Sequence, residues 1–590
     1  MKRFLFLLCF LALSGPAFAT ELRLSLSPDN GDLRDRLRSA SLVATLVGDD
    51  SVPSSDLLAA ARADYGRLIS VLYAQAHYGP QISIRADGRE VSGIPAFAGP
   101  TKIDRISISV SVGPAFTFGR AAAGPLAPQT TLPTGYASGQ PARVDTIRDA
   151  ASSAVKGWRD AGYAKAAIAD QRIVADHRGA VLNSDLTLDP GPKLRFGRVA
   201  VSDDSAVRPD RIKEIAGVPE GRVFAPEEIA RSAQRLRKTG AFRSVSISED
   251  EGIGPNQTQE LTIDVVDEKP RRIGVGAEVS SLEGLTLSGL WMHRNLLGGA
   301  ERLRLEAEVS GIGGGGEQDY GLSARFDRPA TFGPDTGLYL GASLADISEP
   351  DYDERNLRLE AGLTQQVSDD FYAEVGVSVL RSEFTDDLGS RSRSFLMFPV
   401  RGTLDQRDNP MDARTGKYLD LQLMPMIGLN DSSAGLRLQA DTRWYHGFGE
   451  EDRHVAAVRL QAGSVIGLAQ NDIPPSLLFF SGGGGTVRGQ SYQSLGVDLG
   501  GGDTVGGRSF LGASAELRLA ATKKFGVVGF ADFGLIGDEA FGGDIATHAG
   551  AGLGLRYNTG VGPIRFDLAA PVGGDTGDGV QIYIGIGQAF

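Results

Sequence analysis

Arg488 stands between Val487 and Gly489, just after four consecutive glycines, in residues 479–496, FFSGGGGTVRGQSYQSLG. A glycine run beside a cation is one way to cradle a phosphate, but that chemistry needs G-x-x-x-x-G-K-[ST] between a strand and a helix. Here no such lysine is present and no helical pattern follows. A flexible spacer with a solvated arginine is one remaining reading; the other is charge pairing, because an arginine taken away from water must meet carboxylates. Two downstream carboxylates are presented for it. In ASAELRLA (513–520) Glu516 shares a face with Arg518, opposite Ala515, Leu517 and Leu519. In FADFG (530–534) Asp532 alternates with Ala531 and Phe533. Both lie on the polar side of a period-two pattern.

Bond-making chemistry finds no constellation. The six histidines, at 77, 177, 293, 446, 454 and 548, are scattered, with no H-x-x-x-H and no neighbouring carboxylate group. No G-x-S-x-G elbow is present. Cys9 is the single cysteine and lies in an apolar run, so the chain beyond it has no thiol for disulfides or zinc. The expectation is a protein that is not an enzyme and carries no cofactor or metal.

The opening MKRFLFLLCFLALSGPAFA has a positive start at Lys2 and Arg3, an apolar run from Phe4 to Leu13, and a small-x-small site at 17–19. Residues 1–19 read as a secretory signal peptide. A thiol-free exported chain suits an oxidising periplasm. The formal net charge of −13 argues against nucleic-acid binding. After residue 19 no run of about 18 apolar residues exists, so no helix is expected to cross a membrane. A β-barrel remains open, since only every second residue of its strands faces lipid.

The charged loop needs a scaffold, and the patterning supplies one. From Arg272 the period is two: Phe371, Ala373, Val375, Val377 and Val379 share a face in FYAEVGVSVL (371–380). Leu436, Leu438, Ala440, Thr442 and Trp444 do so in LRLQADTRWY (436–445), and YLDLQLM (418–424) and IRFDLAA (564–570) repeat the pattern. Such segments recur about every 20 residues, of a length that crosses a bilayer when tilted, about 9–11 residues. The alternation predicts an all-β transmembrane barrel of about 16 antiparallel strands over 270–590. QIYIGIGQAF (581–590) reads as its last strand, with Ile582, Ile584, Ile586 and Phe590 on one face.

The N-terminal half repeats itself. VGPAFTFG (112–119) and PGPKLRFG (190–197) share G-P-x-(F/L)-x-F-G and lie 78 residues apart, which indicates tandem small domains. Helical segments leading into a turn and a strand occur at 57–84, 144–168 and 226–247. In the third, Ile229, Ala233 and Leu236 share a face and Gly240 is placed to end the helix. The expected order in each unit is β-α-α-β-β.

These residues resemble two known families. The N-terminal units are similar to POTRA domains, expected at 20–112, 113–192 and 193–269, most clearly in the third. The 270–590 half resembles the barrel of the BamA/TamA superfamily of outer-membrane assembly proteins. VRG with Tyr492 beyond resembles that superfamily's lumenal-loop motif, although Gln490 stands where an aromatic is common. RNLLGGAERLRLE (294–306), RGTLDQRDNPMDARTGKYL (401–419) and GLGLRYNTGVGPIRFDLAAPV (552–572) match further motifs, and the end of the chain resembles the C-terminal signal of outer-membrane barrels. The resemblance implies a lumenal latch made of Val487, Arg488 and Gly489, with Glu516 and Asp532 as receptors. It also implies a lateral seam between strands near 271–281 and 581–590, where Gly274, Gly276, Gly585 and Gly587 weaken cross-strand packing and Phe590 ends the seam. Three POTRA units and this length resemble the TamA branch. That branch implies an outer-membrane location with the POTRA units in the periplasm, and as partners the lipid bilayer, a TamB-type periplasm-spanning protein and unfolded outer-membrane or autotransporter clients. Assembly of such clients or phospholipid traffic is the implied task; a passive channel and a two-partner-type secretion pore are the alternatives.

Overall fold

The computed structural model describes residues 20–49, 51–95, 99–202, 204–280, 284–313, 317–349, 351–500, 503–560, 562–577 and 579–590. The signal peptide read at 1–19 lies outside them. The chain divides into two compact units, one reaching Arg198 and including Pro219–Glu228 and Glu251–Glu260, the other made of Val199–Val218, Ile229–Asp250 and Leu261–Phe590.

Three small α/β sheets precede the barrel and share one plan: the first strand of each lies beside the last. In the first module Glu21–Ser27 runs parallel to Arg105–Ser111, which pairs antiparallel with Gln81–Ala86. In the second, Thr117–Gly124 runs parallel to Val181–Asp189, which pairs antiparallel with Ala167–Asp176. The third orders its strands Arg195–Val201, Thr258–Asp267, Phe242–Glu249. Alternation in RISISVS buries Ile106, Ile108 and Val110 against Leu37, Leu68 and Leu72 of the first module's helices. Buried Asp64 accepts from the Ser41 hydroxyl at 2.5 Å and the Leu42 and Val43 amides at 2.7 and 3.2 Å. It thereby satisfies the exposed N–H groups at the start of the helix Leu42–Leu46.

The repeat differs in its helices from the expected β-α-α-β-β order. Only the third module follows it, with helices Pro209–Ala216 and Pro226–Lys238. The first has three helices, and the second has one, Val144–Asp160, among the described residues. In the second the stretch 125–143, rich in proline and glycine, stands where a helix would; proline removes the amide a helix interior needs. In the third module Leu236, Ala233 and Phe242 are buried as the helical spacing required, and Gly240 turns the chain out of the helix at φ +69°. That core also takes in two residues of the barrel half, Ala300 between the strands Gly284–His293 and Arg302–Ile312 and Ala330 near the end of the strand Asp319–Gly333.

The barrel is closed and antiparallel. Seventeen strands are described in its wall. Two of them, Gly389–Met397 and Val400–Asp405, share one position between Phe371–Asp386 and Gly416–Gly428 and keep one register on both sides. Pro399, which has no N–H for the ladder, interrupts what is otherwise a single strand. Sixteen positions around the wall result, as the alternation predicted. Val375, Val377 and Val379, with Leu517, Leu519, Ile564, Phe566 and Leu568, point outward and are exposed to the lipid side, while the opposite face holds arginines, carboxylates and small residues. Among the described residues no helix is long and apolar enough to cross a membrane; a β-barrel crosses with strands, whose backbone groups are met by neighbouring strands.

The end of the chain departs from its sequence pattern. The last strand is Gln581–Ile586 rather than 581–590. Gly587, at φ +92°, bends the backbone and donates its N–H to the Pro563 carbonyl at 2.7 Å. Ile582, Ile584 and Ile586 face outward, whereas Phe590 is only 9% exposed, buried with Ala413, Tyr445, Val455 and Ala457. Side-chain alternation cannot announce a turn that depends on one left-handed residue.

Candidate functional site

Residues 467–496, which follow the strand His454–Ile466, do not extend away from the wall. They return into the lumen and pack there. Leu468, Ile473, Leu477, Leu478, Phe479 and Leu495 of this segment share an apolar core with Leu380, Phe395, Met397, Met426, Val465, Phe510 and Ile536 of the wall. Polar contacts anchor it from several strands. Glu354 accepts from the Ser476 amide and hydroxyl, both at 2.8 Å. Arg437 donates to the Leu477 carbonyl at 2.9 Å and lies over the Phe479 ring. Arg393 pairs with Asp472 at 2.6 Å. The apolar run IPPSLLFF (473–480) was the available sequence signal for this core, and reading the region only as a glycine loop missed it.

The loop's distal part carries Arg488 into a fully desolvated place, 3% exposed. Its Nε and Nη2 donate to the two oxygens of Asp532 at 2.7 and 3.0 Å, the forked geometry a guanidinium offers a carboxylate. Its own amide donates to Asp532 Oδ2 at 3.2 Å. Nη1 donates to Glu516 Oε1 at 2.7 Å and to Asp567 Oδ2 at 3.4 Å. The guanidinium lies 3.6 Å from the centre of the Phe530 ring, a further cation–π contribution. The structure therefore brings Arg488 together with Glu516 and Asp532, and adds Asp567.

Two more arginines complete the charge balance. Arg518 donates to Glu516 Oε2 at 2.8 Å and to the Phe590 main-chain oxygen at 3.0 Å. Arg556 pairs with Asp567 and donates to Gln588 at 2.8 Å. Three buried arginines thus face three buried carboxylates, a neutral set in a place where an unpaired charge would be strongly unfavourable. Asp567 and Arg556 lie in the motif of 552–572, but nothing local in that stretch names Arg488 as their neighbour.

Backbone geometry accounts for the residues around the arginine. Gly489 has φ +92°, and a Cβ there would fall 2.7 Å from the Ala570 backbone. Val487 is completely buried. Gln490, in the place of the common aromatic, is buried and donates to the Ala549 and Gly573 carbonyls at 2.7 and 3.0 Å while accepting from Thr576 at 2.9 Å. His548 lies 2.8 Å from both Thr576 and Ser481, extending this polar layer.

The five residues expected at a seam are not brought together. Gly274 and Gly276 pair with Leu290 and Ser288 of the second barrel strand. Gly585 pairs with Arg565, Gly587 lies past the last strand, and Phe590 turns into the lumen. The seam itself is short for a different reason. Among the described residues, Arg271–Ser280 makes ten residue pairs with its neighbour Gly284–His293 and two with Gln581–Ile586, Val279 with Ile584 and Ser280 with Tyr583. Bending at Gly587 shortens the last strand, so the first strand's edge around Gly274 and Gly276 has no pairing across the seam.

Comparison with known proteins decides the family. A model described as the Omp85 superfamily domain matches residues 295–590. The chain belongs to the Omp85 superfamily. A POTRA model described as a surface antigen variable number repeat matches residues 194–268. The Omp85 chain is 23% identical over 440 residues to the outer membrane protein assembly factor BamA of Nitratidesulfovibrio vulgaris strain Hildenborough, covering 70% of this chain and 53% of that protein. It thus spans about half the length of that relative. BamA from Haemophilus ducreyi lacking POTRA domains 1–3 superposes with a TM-score of 0.63 at 15% identity, over 80% of this chain and all of that one. CdiB from Acinetobacter baumannii superposes at 0.50 and 13%, over 80% and 90%. The Omp85 chain is an outer-membrane β-barrel with periplasmic POTRA structure before it.

Proposed function

We propose that this Omp85 protein assists the insertion or secretion of β-barrel clients such as autotransporters, in the manner of the TamA branch, with a TamB-type partner. The observation that carries the reading is the seam: among the described residues two pairs close a barrel whose other neighbours are paired along most of their length. In lipid an unpaired strand edge is costly, because no water meets its amides and carbonyls. A nascent client has such edges, and a barrel that opens at a short seam can pair with them by β-augmentation. Client folding supplies the driving free energy, so no nucleotide is needed. The name of the BamA relative, an assembly factor, is consistent with this. A passive channel is disfavoured by the lumenal core, where loop side chains and wall side chains pack together.

A disulfide across the seam tests the proposal. Val279 and Ile584 are Cα partners, and Val279→Cys with Ile584→Cys closes the seam on oxidation. In proteoliposomes fed an unfolded client barrel, the oxidised protein is expected to lose client insertion and to regain it on reduction. Equal insertion in both states would sink the seam reading and move a lumenal secretion route ahead.

A further inference from the structure

We propose that Tyr583 is the positioning residue through which the Arg488 loop holds the seam shut; the inference rests on the seam reading above. Tyr583 of the last strand pairs with the first strand, opposite Ser280. On its other side it pairs with Asp567, a carboxylate of the Arg488 network. Its hydroxyl accepts the Gly489 N–H at 3.1 Å and donates to Gln581 at 2.7 Å. Its ring is buried with Val528, Phe530 and Ala569, and Phe530 is the ring beneath the Arg488 guanidinium. One residue therefore meets the loop backbone and the aromatic floor of the charge network with its side chain and the seam with its backbone.

The geometry makes the two states interdependent. With the loop seated, the Gly489 amide fixes the Tyr583 phenol and with it the part of the last strand that meets Ser280. If the loop withdraws, the phenol loses that donor and the two-pair seam loses a constraint it has few others to replace. Coupling of this kind is reciprocal: whatever closes the seam also favours the seated loop.

Tyr583→Phe removes the hydroxyl and keeps the ring packing. The readout is the rate of disulfide closure in the Val279→Cys, Ile584→Cys protein, reconstituted in nanodiscs under a mild oxidant, with heat-modifiable gel migration confirming a folded barrel. Loss of one buried hydrogen bond is expected to slow closure about threefold to tenfold. Arg488→Ala is expected to slow it as well, and the double variant no further, because both act through one contact. Closure at the parent rate in Tyr583→Phe overturns the proposal, and so does full additivity in the double variant. A second measurement needs no loop variant: hydrogen exchange at 479–496 is expected to be slower with the seam oxidised than reduced, and equal exchange overturns the coupling. None of these readouts needs a client, so a locked seam that still inserts clients would remove the proposed function while leaving the coupling intact.

Discussion

At Arg488 the decisive quantity is desolvation. The guanidinium reaches three carboxylates and an aromatic face at once, and removing it leaves Glu516 and Asp532 with less than their compensation. Breaking a buried pair from one side costs about 3–5 kcal/mol. Arg488→Ala is therefore expected to lower the urea midpoint of the folded barrel, read by heat-modifiable migration. Arg488→Glu should lower it further, and Asp532→Arg in that background should restore part of the loss. An unchanged midpoint in Arg488→Ala would mean that the network does not hold the loop. Lysine is not an equivalent, because a single ammonium cannot fork onto Asp532 while reaching Glu516. At this scale the sequence was most informative: Glu516 and Asp532 stood out as polar positions within apolar strands.

Among the elements, the helix Pro226–Lys238 is tied to the barrel by a forked pair. Arg235 Nε and Nη2 donate to Asp335 at 2.7 and 2.8 Å, and its Nη1 donates to the Ala216 carbonyl at 3.1 Å. Arg211 of the preceding helix donates to the Pro329 and Ala330 carbonyls at 2.5 and 3.3 Å. Asp335 lies in the turn between the barrel strands Asp319–Gly333 and Thr336–Glu349. Arg235→Ala should cost about 1–2 kcal/mol, the scale of a hydrogen-bonded charged group. Faster hydrogen exchange at 209–216 and 329–336, with unchanged barrel migration, is the expected signature, and Asp335→Ala should reproduce it. Exchange unchanged in both would show that apolar contact at Ala300 and Ala330 holds the third module alone.

For the molecule as a whole, the lumenal core is expected to set how far the barrel conducts. Phe479 stacks on Phe510 and lies beneath Arg437, at the centre of the packing between loop and wall. Phe479→Ala is expected to cost about 3–5 kcal/mol of local packing and to raise conductance in planar bilayers. No rise would place the barrier to ions elsewhere along the lumen. The seam is proposed to make the opposite contribution: the wall is a closed barrel, with two pairs among the described residues joining its first and last strands.

How much of this was legible follows from which interactions are local. Side chains in a strand alternate faces whatever the fold, so the inward aim of Glu516 and Asp532 could be read from period two, and the barrel of about sixteen strands from that period together with the length of the region. The helix Pro226–Lys238 could be read from the stripe that buries Ala233 and Leu236, since helical spacing is equally local. Residues 581–590 show the limit, because Phe590 keeps the parity of the isoleucines before it and only the left-handed turn at Gly587 carries it inward. Asp567 and Arg556 show it again, being neighbours of Arg488 only once the wall has closed. The sequence by itself determined which residues face lipid and which face the lumen. Only the tertiary structure decided which lumenal charges meet, how far the loop fills the barrel and how few pairs close the seam, since those depend on closure and register between distant strands.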